Sequence, residues 1–422
     1  MTDKAPPIRH IDRSMGLTDD LLKRAALMFG TPLYVYDGDL FPILWSRLRG
    51  ALPAQSRLYY SVKANPNLHI IREFTKLGAH FEVASGGELA AVTRVGVPPD
   101  HVIFVGPGKT DEELDLAVSS NINAVVVESL QELDRIARIA HRNRLRQRVA
   151  IRINPGIGGG TLSMGGATQF GMAPSVALQI LNKPISGVEI IGIHAYLGTG
   201  ILKWEELITN TAEILRLADN IQQTTGQTLL FVDVGGGFGI PYYERDQPLD
   251  LQSLRGPLEA LVGEYLSKYP NTETIAFESG RFLVGPSGIF LTRVLDLKVL
   301  DNKYFVILDG GINNFVGYDH YFGARPTPVR VLDQGMRDLK GVSLCGPLCT
   351  TADRLATDVL LPLPEIGDLV AFFEAGAYGL SASPGLFLSR GYPSEVLRKG
   401  NDLHLIRSRS TCEDLLDKQS FG

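Results

Sequence analysis

At 422 residues, 44% hydrophobic and 21% charged, the chain can bury one large core and a second one, which argues against a disordered protein. A formal charge of -5 with no run of lysines and arginines offers no field for a row of phosphates, so nucleic acid is not an expected partner. Three cysteines (Cys345, Cys349, Cys412) cannot frame a disulfide scaffold, no apolar run reaches the roughly 20 residues of a membrane span, and MTDKAPPIRHIDRSMG has no apolar leader core. The expectation is a cytoplasmic protein without a membrane partner.

A helical period over Asp19 to Met28 precedes a strand-like run from Leu33 to Tyr36. Eight further apolar runs alternate with amphipathic stretches: Leu58 to Val62, His80 to Val83, Val102 to Val105, Ala124 to Val127, Val149 to Ile153, Glu189 to His194, Leu230 to Val234 and Thr274 to Glu278. The intervening helices include Glu112 to Ser119, Leu130 to Asn143, Pro174 to Leu181 and Trp204 to Thr224. Eight βα units predict an α/β protein with a closed (β/α)8 barrel over residues 33–288. A doubly wound sheet is the alternative, but the glycine fingerprint it carries after its first strand is absent. Beyond residue 288 come strand-like runs: Phe290 to Leu300, Tyr304 to Asp309, Pro328 to Leu332, Gly341 to Leu344 and Asp368 to Phe373. Residues 289–422, joined by 1–32, are therefore expected to form an antiparallel β-domain.

Barrel enzymes carry their reacting groups just past the C-terminal ends of the strands. There the first barrel strand offers Lys63, an amine that could form a Schiff base, although an isolated lysine is more often a surface charge. The seventh runs into Asp233-Val-Gly-Gly-Gly-Phe-Gly239, whose bare backbone lets N–H groups approach a phosphate, or which is only a tight turn. The eighth ends in Glu278-Ser-Gly-Arg281, where an inward carboxylate needs a positive partner: a protonated pyridine nitrogen, or simply Arg281. Cys345 and Cys349 lack a second cysteine or histidine pair, so no metal site is expected.

Taken together, YYSVKANPN, EVASGGEL, HAYLGTG, DVGGGFG, ESGRFLVGPSG, DGGINNF, CGPLCTTAD and EAGAYG, in this order over essentially the whole chain, resemble the fold type III pyridoxal-phosphate decarboxylases, which include diaminopimelate and ornithine decarboxylases. The resemblance implies pyridoxal 5'-phosphate as cofactor, held by Lys63, with Glu278 keeping the pyridine nitrogen protonated. It implies phosphate contacts from Gly235, Gly236, Gly237, Gly280, Arg281, Thr199 and Tyr378, and a lysine environment set by Glu82, Ser85, Glu88 and Arg152. Cys349 matches the proton donor that one subunit sends into its partner's site, which implies a head-to-tail homodimer.

The chain departs from the family's pattern at three places. Where most members have a second histidine stacking on the cofactor ring, this chain has Tyr196. The residue after Cys349 is Thr350, neither the glutamate of diaminopimelate decarboxylases nor the aspartate of the ornithine type. Aligning Tyr321 with the family's RPALY-like tyrosine puts Gly317 where an arginine binds the distal carboxylate. Each lost charge-assisted contact costs roughly 1.5 to 3 kcal/mol, so free diaminopimelate is disfavoured. Ser163-Met-Gly-Gly166, Gln169-Phe-Gly171 and CGPLCT are similar to the biosynthetic-cluster branch that includes butirosin glutamyl-acyl-carrier-protein decarboxylase. The expected activity is decarboxylation of an L-amino acid or an amino-acyl group on an acyl-carrier protein. Ordinary diaminopimelate decarboxylation is the alternative, ahead of a racemase or a catalytically silent cofactor carrier.

Overall fold

The computed structural model describes residues 16–156, 162–163, 168–181, 183–243, 246–316, 328–332 and 335–420. Strand β1 (Leu33–Asp37), buried along its whole length, follows a helix over Asp19–Phe29 whose first turn is capped by the Thr18 side chain. Next come β2 (Ser56–Ser61), β3 (His80–Val83), β4 (Val102–Phe104), β5 (Ala124–Val127), β6 (Gln147–Arg152), β7 (Leu162–Ser163), β8 (Val188–His194), β9 (Gly198–Thr199), β10 (Phe231–Asp233) and β11 (Thr274–Ser279). Strands β2 to β6, β8, β10 and β11 close a parallel barrel, while β7 and β9 form a separate antiparallel pair. All eight expected barrel runs are barrel strands.

Capping at the strand-to-helix turns explains why the helices start where they do. Ser85 accepts from the Glu88 N–H, Ser129 from that of Glu132, and Thr110 with Glu113 makes a reciprocal capping box. Inside the barrel Tyr59, Ile103, Val126, Ala150, Ile191 and Phe231 fill one cluster, the packed interior that an eight-stranded barrel requires. Ile103, Val126, Ile191 and Phe231 each contribute roughly 1.5 to 3 kcal/mol by leaving water. The polar residues of interest therefore lie at the rim.

The chain divides into two compact units, one of Leu44–Ile240 with Pro248–Leu283, the other of Met1–Ile43, Pro241–Gln247 and Val284–Gly422. The second is built on β12 (Gly288–Leu300), β13 (Lys303–Leu308), β14 (Val329–Val331), β15 (Leu339–Cys345), β16 (Arg354–Pro362), β17 (Leu369–Phe372), β18 (Ser394–Lys399) and β19 (Asp402–Arg407). Two corrections follow. The sheet is mixed and not purely antiparallel, because β1 runs parallel to β18 and β13 parallel to β15. Strand β1 also pairs with β12 and β18, so the barrel unit begins at Leu44 and not at residue 33. Among the described residues no helix is long and apolar enough to cross a membrane.

Candidate active site

Lys63 lies just past the end of the first barrel strand. It sits in a 3-10 turn, Val62–Ala64, immediately after β2, and this turn delivers its amine to the mouth. Nζ lies 2.7 Å from Glu82 Oε1 and 5.9 Å from the centre of the Tyr196 ring. The Lys63 side chain is 40% exposed whereas that of Glu82 is 1% exposed, so the amine faces the mouth and the carboxylate lies beneath it. Glu82 ends up beside the turn because it pairs in register with Ser61. On the helix that follows, Glu88 Oε2 accepts the Ala84 N–H at 2.7 Å. Burial, with Glu82 adding to it, pushes the Glu88 carboxyl up to about 7 against the Ala84 hydrogen bond and the Lys63 charge.

The ends of β6, β8 and β10 place Arg152, His194 and Asp233 side by side as register partners. Arg152 Nη1 donates to Glu128 Oε1 at 2.9 Å, its guanidinium lies 4.6 Å from the Phe170 ring centre, and Glu128 Oε2 accepts the Gly171 N–H. The QFG segment is thereby tied to the barrel rim. His194 Nε2 lies 3.2 Å from Glu278 Oε1, both side chains being 2% exposed. Burial alone would raise the Glu278 carboxyl, but the His194 hydrogen bond and the charges of His194, Lys63 and Arg152 bring it below the ordinary value. Asp233 is driven well above its usual range by burial and by Glu278 beside it. Ligand atoms of His194, Asp233 and Glu278 all lie within 4.8 Å of one another, near enough for a cation. Nε2 of His194 is engaged with Glu278 Oε1, and Asp233 Oδ1 accepts the Gly235 N–H.

The glycine turn packs against this cluster. Gly235 and Gly237 have φ of 67° and 100°, values that favour residues without a side chain. A Cβ on Gly236 would lie 2.1 Å from the Glu278 carbonyl oxygen, and one on Gly237 would lie 2.7 Å from the Gly198 carbonyl oxygen, beside Thr199. A Cβ on Gly280 would lie 2.6 Å from the Ala64 Cβ, so the ESGR turn lies against the Lys63 turn. Arg281, which starts the next short helix, is buried.

Lys63, Glu82, Arg152, Tyr196, Thr199, Gly235, Gly236, Gly237, Glu278, Gly280 and Arg281 are thus all residues of the barrel unit at its strand ends. Tyr378, Cys349 and Thr350 belong to the other unit, where Cys349 is exposed and Thr350 and Tyr378 are half-buried. Gly317 and Tyr321 lie outside the described residues. The motif reading gave no role to His194, Asp233 or Glu128. Their available signal was a polar residue at the inner end of an otherwise apolar strand.

An amine at the mouth of a closed barrel, an ionised carboxylate buried across from it and a bare-backbone turn define an enzyme that works through a bound anionic group. The model of the pyridoxal-binding domain of pyridoxal-dependent decarboxylases matches residues 43–285, and the chain belongs to that family. It is a pyridoxal-phosphate-dependent carboxy-lyase. It is 36% identical to the L-glutamyl-[BtrI acyl-carrier protein] decarboxylase of Niallia circulans, over 93% of this chain and 94% of that one. It is 32% identical to a diaminopimelate decarboxylase of Aquifex aeolicus, over 98% and 97%. The crystal structure of diaminopimelate decarboxylase from Helicobacter pylori with L-lysine superposes with a TM-score of 0.85 at 30% identity, covering 94% of this chain and 98% of that one.

Proposed function

We propose that the enzyme decarboxylates the amino-acid end of a substrate whose far end is not a zwitterion, a glutamyl group borne by an acyl-carrier protein being the best fit. One observation carries the reading: Thr350, uncharged, accepts the Ala352 N–H through its own hydroxyl at 3.3 Å and offers no counter-charge to a distal ammonium. The relative from Niallia circulans acts on such a carrier-linked substrate by its name. A diaminopimelate substrate is the second reading, favoured by the relative from Aquifex aeolicus.

The residues fit the cofactor. Glu82 Oε2 and Asp233 Oδ2 are buried without hydrogen-bond partners at the mouth, and the turn at 235–237 has no room for side chains, as a phosphate cradle requires. Bound there, pyridoxal phosphate supplies an electron sink for the charge left behind by carbon dioxide. Lys63 holds the cofactor and moves protons at Nζ, with Glu82 accepting from it. Glu278 holds the pyridine nitrogen charged, while Gly235, Gly236, Gly237, Gly280, Arg281, Thr199 and Tyr378 bind phosphate. Tyr196 takes the ring-stacking place. Cys349 returns a proton to the α-carbon in the partner subunit of a homodimer, and Thr350 faces the substrate's far end. The test is carbon dioxide release from carrier-linked glutamate against free glutamate, ornithine and meso-diaminopimelate. Turnover confined to the carrier-linked form is expected, and fast turnover of free diaminopimelate alone overturns the reading.

A further inference from the structure

Two carboxylates and an imidazole that the family resemblance leaves without a shared role meet at the ends of β8, β10 and β11. His194 Nε2 lies 3.2 Å from Glu278 Oε1. Asp233, wholly buried, turns Oδ1 to the Gly235 N–H at 2.8 Å, while its Oδ2 has no hydrogen-bond partner, and one carboxylate oxygen of each acid and a ring nitrogen of His194 lie within 4.8 Å of one another. An oxygen left in this state by burial is costly unless it carries a proton, and two adjacent buried carboxyls cannot both ionise.

We propose that His194 and Asp233 are positioning residues that fix the charge of Glu278: Asp233 holds the proton of the carboxyl pair, and the His194 N–H orients the ionised Glu278. The inference deepens the cofactor role proposed for Glu278 and rests on it. Asp233 and His194 are adjacent in register, so the strands fix their separation. The Glu278 N–H donates to the Gly235 carbonyl at 2.8 Å, which ties the third member to the same turn. The charged groups felt by the cluster sort the two acids further. Glu82 and Glu278 act on Asp233 to keep its proton on, whereas His194, Lys63 and Arg152 act on Glu278 to keep its proton off. The two acids then share a single negative charge, the complement of one pyridinium, before any cofactor arrives. A pair of ionised acids in the same place would instead repel each other and draw in a cation.

The test begins on the cofactor-free protein. Infrared difference spectra of wild type against Asp233→Asn, at about pH 8, should show the carbonyl stretch of a protonated acid in the wild type and its loss in the variant. Labelling the wild-type aspartates with carbon-13 should shift the same band, which keeps the test open if the variant does not fold. Pyridoxal phosphate affinity, read by quenching of protein fluorescence, provides the second measurement. Asp233→Asn, a neutral mimic of the protonated acid, should bind within about tenfold of wild type. His194→Ala and Glu278→Gln should bind roughly ten- to hundredfold more weakly, the loss of one charge-assisted contact, and His194→Gln should recover part of that loss through its amide N–H. No acid band in the wild type, an Asp233→Asn defect as large as that of Glu278→Gln, or a His194→Ala protein with wild-type affinity overturns the proposal. If wild type binds no pyridoxal phosphate, the role of Glu278 fails, and the infrared band still decides where the proton of the pair sits.

Discussion

Replacing Gly236 with alanine probes the closeness of the glycine turn to Glu278. An added Cβ would lie 2.1 Å from the Glu278 carbonyl oxygen, a contact nearly 1 Å shorter than real Cβ atoms tolerate. The obstacle is backbone, and it cannot swing aside as a side chain would. Glu278 is held by its own N–H to Gly235 and by β11 pairing with β2 on one side and β10 on the other. The turn and the carboxylate must therefore separate by about 1 Å, a displacement that typically costs about a hundredfold in turnover when reacting groups are misplaced. Overpacking of this kind also costs about 1 to 3 kcal/mol of stability. Thermal melting, pyridoxal phosphate titration and carbon dioxide release on one preparation would separate the two effects. A folded Gly236→Ala enzyme with wild-type affinity and turnover would refute the argument that this turn and Glu278 form one rigid unit.

Three other substitutions give separable outcomes. Burial raises the Glu88 carboxyl to about 7, so the unfolded chain ionises near pH 4.5 while the folded one stays protonated, and stability falls as pH rises from there to about 7. Glu88→Gln should remove that slope and gain up to about 3 kcal/mol at pH 8, read by denaturant titration across pH; an unchanged slope would count against it. His80, stacked on His101 at 4.1 Å, is held down to about 3 by burial first, then by His101 and Arg57. The unfolded chain therefore takes up this proton near pH 6.5 while the folded one does not, and stability is lost as pH falls towards 3. His80→Phe should melt progressively higher than wild type as the buffer is taken from pH 7 to about pH 4, by up to about 3 kcal/mol, and a pH-independent difference would contradict this. Gly263, in the helix Leu251–Lys268, would meet nothing within 4 Å of an added Cβ, so Gly263→Ala should raise stability by about 0.5 to 1 kcal/mol without changing turnover. A drop in melting temperature would show a neighbour the fold does not display.

The barrel was legible because its strands are uninterrupted apolar runs of the kind that parallel sheets bury on both faces, as in Ala124–Val127. Strands β16, β18 and β19 were not anticipated, and β18 shows why. In Ser394–Lys399 the polar residues are buried through distant partners: Tyr36 donates to Glu395, and Arg398 pairs with Asp37 and Asp39. No local period records such pairings. The same β1–β18 contact moved residues 33 to 43 out of the expected barrel unit. At the site, motif order brought out Lys63, Glu82, Glu278 and the glycines. The His194–Asp233–Glu278 cluster depends on register across three strands separated by long helices, which sequence spacing does not encode.

The proposed attachment point of pyridoxal phosphate is the amine of Lys63. Borohydride reduction of the loaded protein, followed by peptide mass mapping, reads that bond directly. One pyridoxyl adduct is expected, on Lys63, with its loss in Lys63→Ala; an adduct mapping chiefly to another lysine, or none at saturating cofactor, would contradict that attachment.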